Sequence, residues 1–295
     1  LKGVPKSLIY RVVRSGEVRV NKGRAHVDTR LQSGDEVRIP PIRYTEKESE
    51  HSAPPLKLSE MPPILFEDQN IMVVDKLAGM ASHGGSGISY GLIERMRASR
   101  PELPFLELVH RLDRGTSGVL VLAKTRKALV RLHEMIREGE MHKTYQALVK
   151  GDWQNDRQHA KFPLFKYVTP SGERRVRVDP ENGLPSHSIF RLKERFGPVS
   201  LVEVDLLTGR THQIRVHAAE LGFPLVGDEK YGDFAFNDEV AHGSLGVPFK
   251  RMFLHSGKIC FHHPITGEEL EIEAPLPKDC VELIEVLEQR KAQNK

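Results

Sequence analysis

Apolar positions at the start of the chain change period once. After Pro5, with Ser7 available as an N-cap, Leu8, Ile9, Val12 and Val13 recur at helical spacing, and Gly16 is placed to stop the helix they predict. The period then falls to two. Val18, Val20, Val27, Val37 and Ile39 alternate with charged residues around the turn signals Lys22-Gly23 and Ser33-Gly34, which predicts short half-buried strands. Residues 46–63 carry Glu46-Lys-Glu-Ser-Glu50 and Pro54, Pro55, Pro62 and Pro63 with few large apolar residues, as a linker does.

From Ile64 onward strands and helices interleave without a repeat. Strands are expected at Ile64–Phe66 and Ile71–Val74, then at Leu108–Val109 and Val119–Ala123 flanking a polar loop. Thr125 can cap a helix with Leu129, Leu132, Met135 and Ile136 on one face, ended by Gly139. Strands follow near Thr144–Val149 and Leu201–Leu207. A helix capped near Thr208 or Thr211 then carries Ile214, Ala218 and Leu221 to Gly222. Strands near Ile259–His262 and Leu270–Glu273 and a helix from about Asp279 close the chain. With no regular βα repeat and no dinucleotide fingerprint, the expected class is α+β, a mixed, mainly antiparallel sheet with flanking helices.

Composition narrows the function. The 295 residues are enough for about two domains. With 39% hydrophobic and 28% charged residues the chain is globular rather than disordered, and no apolar run approaches the roughly 18 residues that span a bilayer. Only two cysteines, Cys260 and Cys280, exclude a disulfide framework and a zinc ribbon, so a reducing compartment is expected. The first residue is Leu rather than Met, and a trimmed N-terminus is expected. The net charge of +4 is unevenly spread. Residues 1–45 hold ten Lys/Arg against four acids, a surplus of +6 that leaves the rest at −2. That asymmetry is the footprint of an appended nucleic-acid-binding module; a solvated basic face is the ordinary alternative.

Two polar clusters are the places where chemistry could reside. In Val109-His-Arg-Leu-Asp-Arg-Gly-Thr-Ser-Gly118 a loop trapped between apolar strands puts Arg111, Asp113 and Arg114 on a rigid support. Asp113 can cap its own turn through Thr116 and Ser117 or pair with Arg111; alternatively, kept ionised by a nearby arginine, it serves as nucleophile or charge stabiliser. The second cluster is Leu207-Thr-Gly-Arg-Thr-His-Gln-Ile-Arg-Val-His217. A helix starting near Thr211 places Arg215 in its second turn, while Arg210 and the first amides form a natural phosphate site; an ordinary cap with surface arginines is the alternative. His212 and His217 are five apart, off the one-face spacing of a zinc helix, and His262-His263 has no partner cluster, so no metal is expected. Gly84-Gly-Ser-Gly87 lacks the lysine of a phosphate loop, and no Gly-x-Ser-x-Gly elbow occurs in that stretch or in Gly115-Thr-Ser-Gly118.

Two resemblances go further. Ser7–Asn21 with Leu31–Ile39 resembles the S4 RNA-binding module without its first helix, and implies RNA contacts by Lys6, Arg11, Arg14 and Arg19 in residues 1–45, a small α/β unit. His110-Arg-Leu-Asp-Arg-Gly-Thr-Ser-Gly118, Lys143-Thr-Tyr-Gln-Ala-Leu-Val149 and Leu207-Thr-Gly-Arg-Thr-His-Gln-Ile-Arg215, in that order, resemble the three active-site motifs of the RluA-type pseudouridine synthases. Ile64–Gly79, Leu225-Val-Gly-Asp228 with Tyr231, and Arg251-Met-Phe-Leu-His255 support the match, which covers residues 64–295 as a catalytic domain. Lys76-Leu-Ala-Gly79 departs from it, since relatives often carry Pro after the Lys; the departure is expected to touch a turn and not the chemistry.

The resemblance implies conversion of uridine to pseudouridine without a cofactor, and the pattern is most similar to members that act on large-subunit (23S) ribosomal RNA. It implies Asp113 as nucleophile, Arg215 as the partner that keeps it ionised, and Tyr145 stacked on the uracil and assisting proton transfer. It further implies Ile214 as an apolar wall beneath the base and Arg111 as the residue that fills the gap left by the extruded base. A cytoplasmic monomer with 23S rRNA as partner is expected. A catalytically silent rRNA-binding or ribosome-assembly factor and a uracil-releasing RNA glycosylase remain the alternatives.

Overall fold

The structure is a computed structural model that describes residues 6–41, 53–85 and 89–293. The chain divides into two compact units, Leu1–Pro54 and Pro55–Lys295.

In the first unit α1 (Lys6–Arg14) precedes β1 (Arg19–Val20), β2 (Gly23–Arg24) and β3 (Val37–Arg38), an antiparallel sheet in the order β2-β1-β3. Val12 and Ala25 are buried, and Arg11, Arg14 and Arg19 are exposed. The expected half-buried alternation is only partly realised: Val27 lies outside any strand and is exposed, as are Val37 and Ile39. Strands two residues long beside a nine-residue helix cover few side chains.

Residues 46–52 of the expected linker lie outside the described residues. Its C-terminal part is not a free tether: Leu56 is buried, its N–H donates to Ser99 Oγ at 2.8 Å, and a 3₁₀ turn at Leu58–Glu60 offers Glu60 to Arg95 at 2.6 Å. The second unit therefore begins ahead of Ile64.

Its frame is a ten-stranded mixed sheet. The strands are β4 (Ile64–Glu67), β5 (Ile71–Lys76), β6 (Glu107–Leu108), β7 (Ser117–Ala123), β8 (His142–Lys150), β9 (Arg157–Ala160), β12 (Ser188–Arg195), β13 (Val199–Leu206), β14 (Leu254–His262) and β15 (Glu269–Glu273). They run β4-β5-β7-β14-β8-β13-β12-β9, with β15 on β14 and β6 on β7; β7–β14 is the parallel pair and the other pairs are antiparallel. A separate hairpin pairs β10 (Leu164–Val168) with β11 (Arg174–Val178). The helices are α2 (Leu92–Ser99), α3 (Arg126–Glu138), α4 (Gln213–Glu220), α5 (Phe234–Ala241) and α6 (Lys278–Gln293).

The strand periodicity explains the layers. In β5 and β7 every residue from Ile71 to Val74 and from Val119 to Ala123 is fully buried, because both faces of the sheet are covered. Met72, Val74, Leu120 and Leu122 share one face with Ala147, Val204, Ile214 of α4 and Leu92 of α2. Ile71, Val73, Val119 and Val121 point the other way, under Leu132 and Met135 of α3. Each such Leu, Ile or Val contributes about 1.5–3 kcal/mol of burial. Helix α3 has the expected ends: Ala128 N–H donates to Thr125 Oγ1 at 3.2 Å, and Gly139 takes the left-handed conformation at φ 75°.

Candidate active site

The loop between β6 and β7 carries the first polar cluster and is held from below. Buried Ser82 donates to the Leu112 carbonyl at 2.7 Å and accepts from the Leu112 N–H at 3.1 Å. Gly79 N–H donates to the Arg114 carbonyl at 2.7 Å, and Arg114 Nε returns a bond to the Gly79 carbonyl at 2.9 Å. Fully buried Lys76 donates to the carbonyls of Leu77 and Met80 at 2.9 and 2.8 Å. Burial pushes its ammonium down to about 7, against the opposing pull of the Asp113 charge. The segment expected to matter only as a turn thus forms the floor of the loop.

Glycine is required at the loop's exit. Gly118 has φ 112°, and a Cβ there would lie 2.2 Å from the Ser256 carbonyl oxygen, so only glycine lets β7 meet β14 at this point.

Across from the loop, β8 supplies Tyr145 and α4 supplies Ile214 and Arg215. The helix begins later than expected. Its N-cap is His212, in the left-handed conformation at φ 54° and without a side-chain capping bond, and Gln213 ties the preceding loop to the helix by accepting from the Arg210 N–H at 3.0 Å and from the Thr208 hydroxyl at 2.8 Å. Neither Thr208 nor Thr211 is the cap, and Arg215 falls in the first turn rather than the second. Arg210 Nε donates to the Pro185 carbonyl at 3.1 Å while the side chain still faces the cleft.

Arg111, Asp113, Tyr145, Arg210, Ile214 and Arg215, supplied by the β6–β7 loop, β8, the β13–α4 loop and α4, line one cleft. Asp113 pairs with Arg215 and not with Arg111: Nη1 donates to Oδ2 at 3.0 Å. The remaining guanidinium edge forms a bidentate pair with Asp228, Nε to Oδ2 and Nη2 to Oδ1 at 2.7 Å each. Asp228 is itself fixed by the N–H groups of Lys230 and Tyr231 at 2.8 and 3.1 Å. Burial pushes the Asp228 carboxyl up, but the Arg215 hydrogen bonds and charge outweigh it and hold the group below the ordinary carboxylate range. Burial likewise opposes the charge on Arg215, and its two carboxylate partners raise it above its usual value.

Tyr145 is buried, with Ser256 opposite it on β14; burial drives its hydroxyl above the ordinary tyrosine range, so the phenol keeps its proton. Arg111 is exposed at the rim, and Ile214 is buried beside Tyr145 in the same apolar cluster. Lys6, Arg11, Arg14 and Arg19 belong to the first unit. Sequence reasoning gave no role to His212, Asp228, Tyr231 or Lys76. For Asp228 and Tyr231 the available signal is the Leu225-Val-Gly-Asp228 stretch with Tyr231 that supports the family match; His212 lies inside the Leu207–Arg215 motif, where its spacing to His217 speaks only against zinc. Among the described residues no group of three or more His, Cys, Asp or Glu is arranged to hold a metal ion, and no helix is long and apolar enough to cross a membrane.

The RNA pseudouridylate synthase family model matches residues 70–220. The chain is 51% identical over 291 residues to the ribosomal large subunit pseudouridine synthase C of Salmonella typhi, covering 97% of this chain and 90% of that one. The chain belongs to the RNA pseudouridylate synthase family. The Escherichia coli K12 protein of the same name is also 51% identical, over 94% of this chain and 86% of its own length. Among solved structures, human RNA pseudouridylate synthase domain containing 1 is 26% identical with a TM-score of 0.59, covering 79% of this chain and 97% of that one. Human RNA pseudouridylate synthase domain containing 4, at 23% identity, TM-score 0.63 and coverage of 76% and 92%, shares the fold. The protein is accordingly an isomerase, a pseudouridine synthase, with the family's mixed sheet and flanking helices.

Proposed function

We propose that the protein isomerises specific uridines of 23S ribosomal RNA in the cytoplasm, as a monomer and without a cofactor. The observation that carries this reading is the Asp113–Arg215 pair at 3.0 Å in a cleft that also holds Tyr145 and Ile214. The printed name of its relatives, ribosomal large subunit pseudouridine synthase C, supports the substrate.

The reaction exchanges one bond for another. The N1–C1′ bond of the uridine breaks, C5–C1′ forms, the C5 proton leaves and N1 gains one, so no redox partner is needed. Asp113, oriented by its hydrogen bond from Arg215, supplies the carboxylate that adds to the sugar or the ring. Tyr145 stacks on the uracil and assists the proton movement, and Ile214 walls the base from below. Since the target must leave its stack at a cost of a few kcal/mol, Arg111 at the rim fills the gap. Arg210 contacts the backbone phosphate. The S4-like residues 1–45 bring Lys6, Arg11, Arg14 and Arg19 to the RNA as sequence-independent phosphate contacts, followed by a connecting segment and the catalytic domain.

The test is direct: unmodified 23S rRNA is incubated with the wild-type protein and pseudouridines are mapped by carbodiimide-dependent reverse-transcription stops. New stops at discrete uridines are expected. RNA that binds yet acquires none would leave a binding or assembly factor, and free uracil in the supernatant would indicate a glycosylase.

Deleting residues 1–45 is expected to weaken rRNA binding at physiological salt by about 10-fold or more and to flatten the salt dependence, with a smaller effect on the single-turnover rate at saturation. Wild-type affinity in the truncated protein, measured by filter binding across a salt series, would strip the module of its assigned role.

A further inference from the structure

His212 is a titratable residue of the cleft that the reading above leaves without a task. It is strained, since φ 54° is an uncommon conformation for a side chain with a Cβ, and the surrounding bonds hold it there. Its ring is 14% exposed and faces the loop, with Nε2 3.9 Å from Asp113 Oδ2. On the far side Nδ1 lies 2.8 Å from the Tyr231 hydroxyl. That hydroxyl already accepts from the Val176 N–H of the β10–β11 hairpin at 2.9 Å. With one lone pair taken by that amide, donation from the Tyr231 hydroxyl to Nδ1 gives both groups a partner, and in that arrangement the ring proton sits on Nε2. The Tyr231 ring also covers the Arg215 guanidinium at 5.1 Å, so one tyrosine braces both groups that face Asp113.

We propose that His212 is a positioning residue for the nucleophile: its Nε2–H, aimed by the Val176–Tyr231 relay, closes onto Asp113 Oδ2 when the uridine is bound. Arg215 and His212 then share Oδ2 and leave Oδ1 as the reacting oxygen. The inference rests on the reading of Asp113 as nucleophile. A gap of 3.9 Å in the free protein suits such a contact, because catalytic hydrogen bonds often shorten only in the substrate complex. The ring must be neutral for the relay to work: protonation of Nδ1 removes the acceptor for the Tyr231 hydroxyl. Burial and the charges of Arg215 and Lys230 favour the neutral ring, while Asp113 and Asp228 oppose them; the net direction is below the ordinary histidine value. The Tyr231 hydroxyl is pushed up to about 12 by burial and stays a donor across this range.

The test is single-turnover isomerisation of a 23S rRNA fragment between about pH 5 and 8, a range that spans histidine titration, with wild type, His212→Asn, His212→Gln and Tyr231→Phe. Asn tolerates the left-handed backbone and can still accept from Tyr231, but its side chain is too short to reach Asp113. It is expected to lower kcat by about 10–100-fold at pH 7.5 while KM stays within about twofold. Gln, whose amide reaches the Nε2 position, should recover most of that loss and remove the acid limb that His212 contributes. Tyr231→Phe should move that limb upward, toward the ordinary histidine value of about 6.5. Wild-type kcat in His212→Asn, or losses in all three variants with an unmoved acid limb, overturns the proposal. An inactive wild-type protein would instead bring down the reading of the whole site, and this inference with it.

Discussion

Asp113→Asn is expected to abolish isomerisation, with a single-turnover rate lower by at least about 10⁴-fold, while affinity for 23S rRNA stays within a few-fold of wild type. The argument is geometric. Among the described residues the Asp113 side chain accepts one hydrogen bond, at 3.0 Å from Arg215 Nη1, and is 28% exposed. Asparagine offers Arg215 a carbonyl oxygen in the same place, so the loop, braced independently by Ser82, Gly79 and Lys76, keeps its shape. What is lost is the negative charge, and with it the nucleophilic oxygen that the proposed reaction requires, since a neutral amide oxygen is a far weaker nucleophile. In the proposed reading, binding depends on Arg111, Arg210 and the basic N-terminal residues, none of which the substitution alters. Tritium release from uracil-5-labelled RNA measures the rate and filter binding the affinity. Full activity in the variant would remove Asp113 from the mechanism altogether.

A different defect is expected from Asp228→Ala. Arg215 is nearly buried, with 9% of its side chain exposed, and two of its three charged hydrogen bonds go to Asp228. Removing one partner of a buried pair leaves an uncompensated charge and costs about 3–5 kcal/mol. The amides of Lys230 and Tyr231 lose their acceptor as well. For a body of this size the melting temperature should fall by about 10 °C. The kcat should drop about 100-fold, because Arg215 no longer holds Asp113 in one orientation.

The pH dependence has a definite sign. Arg215 holds Asp228 below the ordinary carboxylate range, so its contribution to stability is fully present above the unfolded-state value of about 3.9 and is lost as pH falls through the depressed native value. The stability gap between wild type and variant should therefore be constant near neutrality and close only in strong acid. Urea denaturation from pH 7 down to about pH 3 reads this out. A melting temperature unchanged at pH 7 would mean that Asp228 does not secure Arg215.

Much of the architecture was visible along the chain because it is specified by near neighbours. Thr125 and Gly139 delimit α3 through bonds and backbone angles within four residues of each end. The strands of the sheet centre announced themselves by runs of buried apolar residues. Elements with weaker signals escaped. The strands β9 and β12 carry charged residues along the sheet's edge, and the β10–β11 hairpin alternates Phe165 and Tyr167 with lysine and exposed valine. The start of α4 was misplaced by its unusual cap: no rule based on side-chain preference puts histidine in the left-handed conformation with the following glutamine reaching back.

The site divides in the same way. Motif order was enough to bring out Asp113, Tyr145, Ile214 and Arg215 as candidates, since all four stand inside the three stretches that carry the family resemblance. That Arg215 also serves Asp228 was not legible, because Asp113 is 102 residues away and Asp228 13, and only the folded sheet brings both to one guanidinium. Lys76, remote from the motifs, became the floor of the loop through bonds to carbonyls of two segments. His212 and Tyr231 acquired their geometry from an amide of a hairpin that neither motif contains. Local chemistry is written in neighbouring residues, whereas the direction of a proton and the pairing of a buried charge depend on groups that only burial and long-range strand pairing bring within 3 Å.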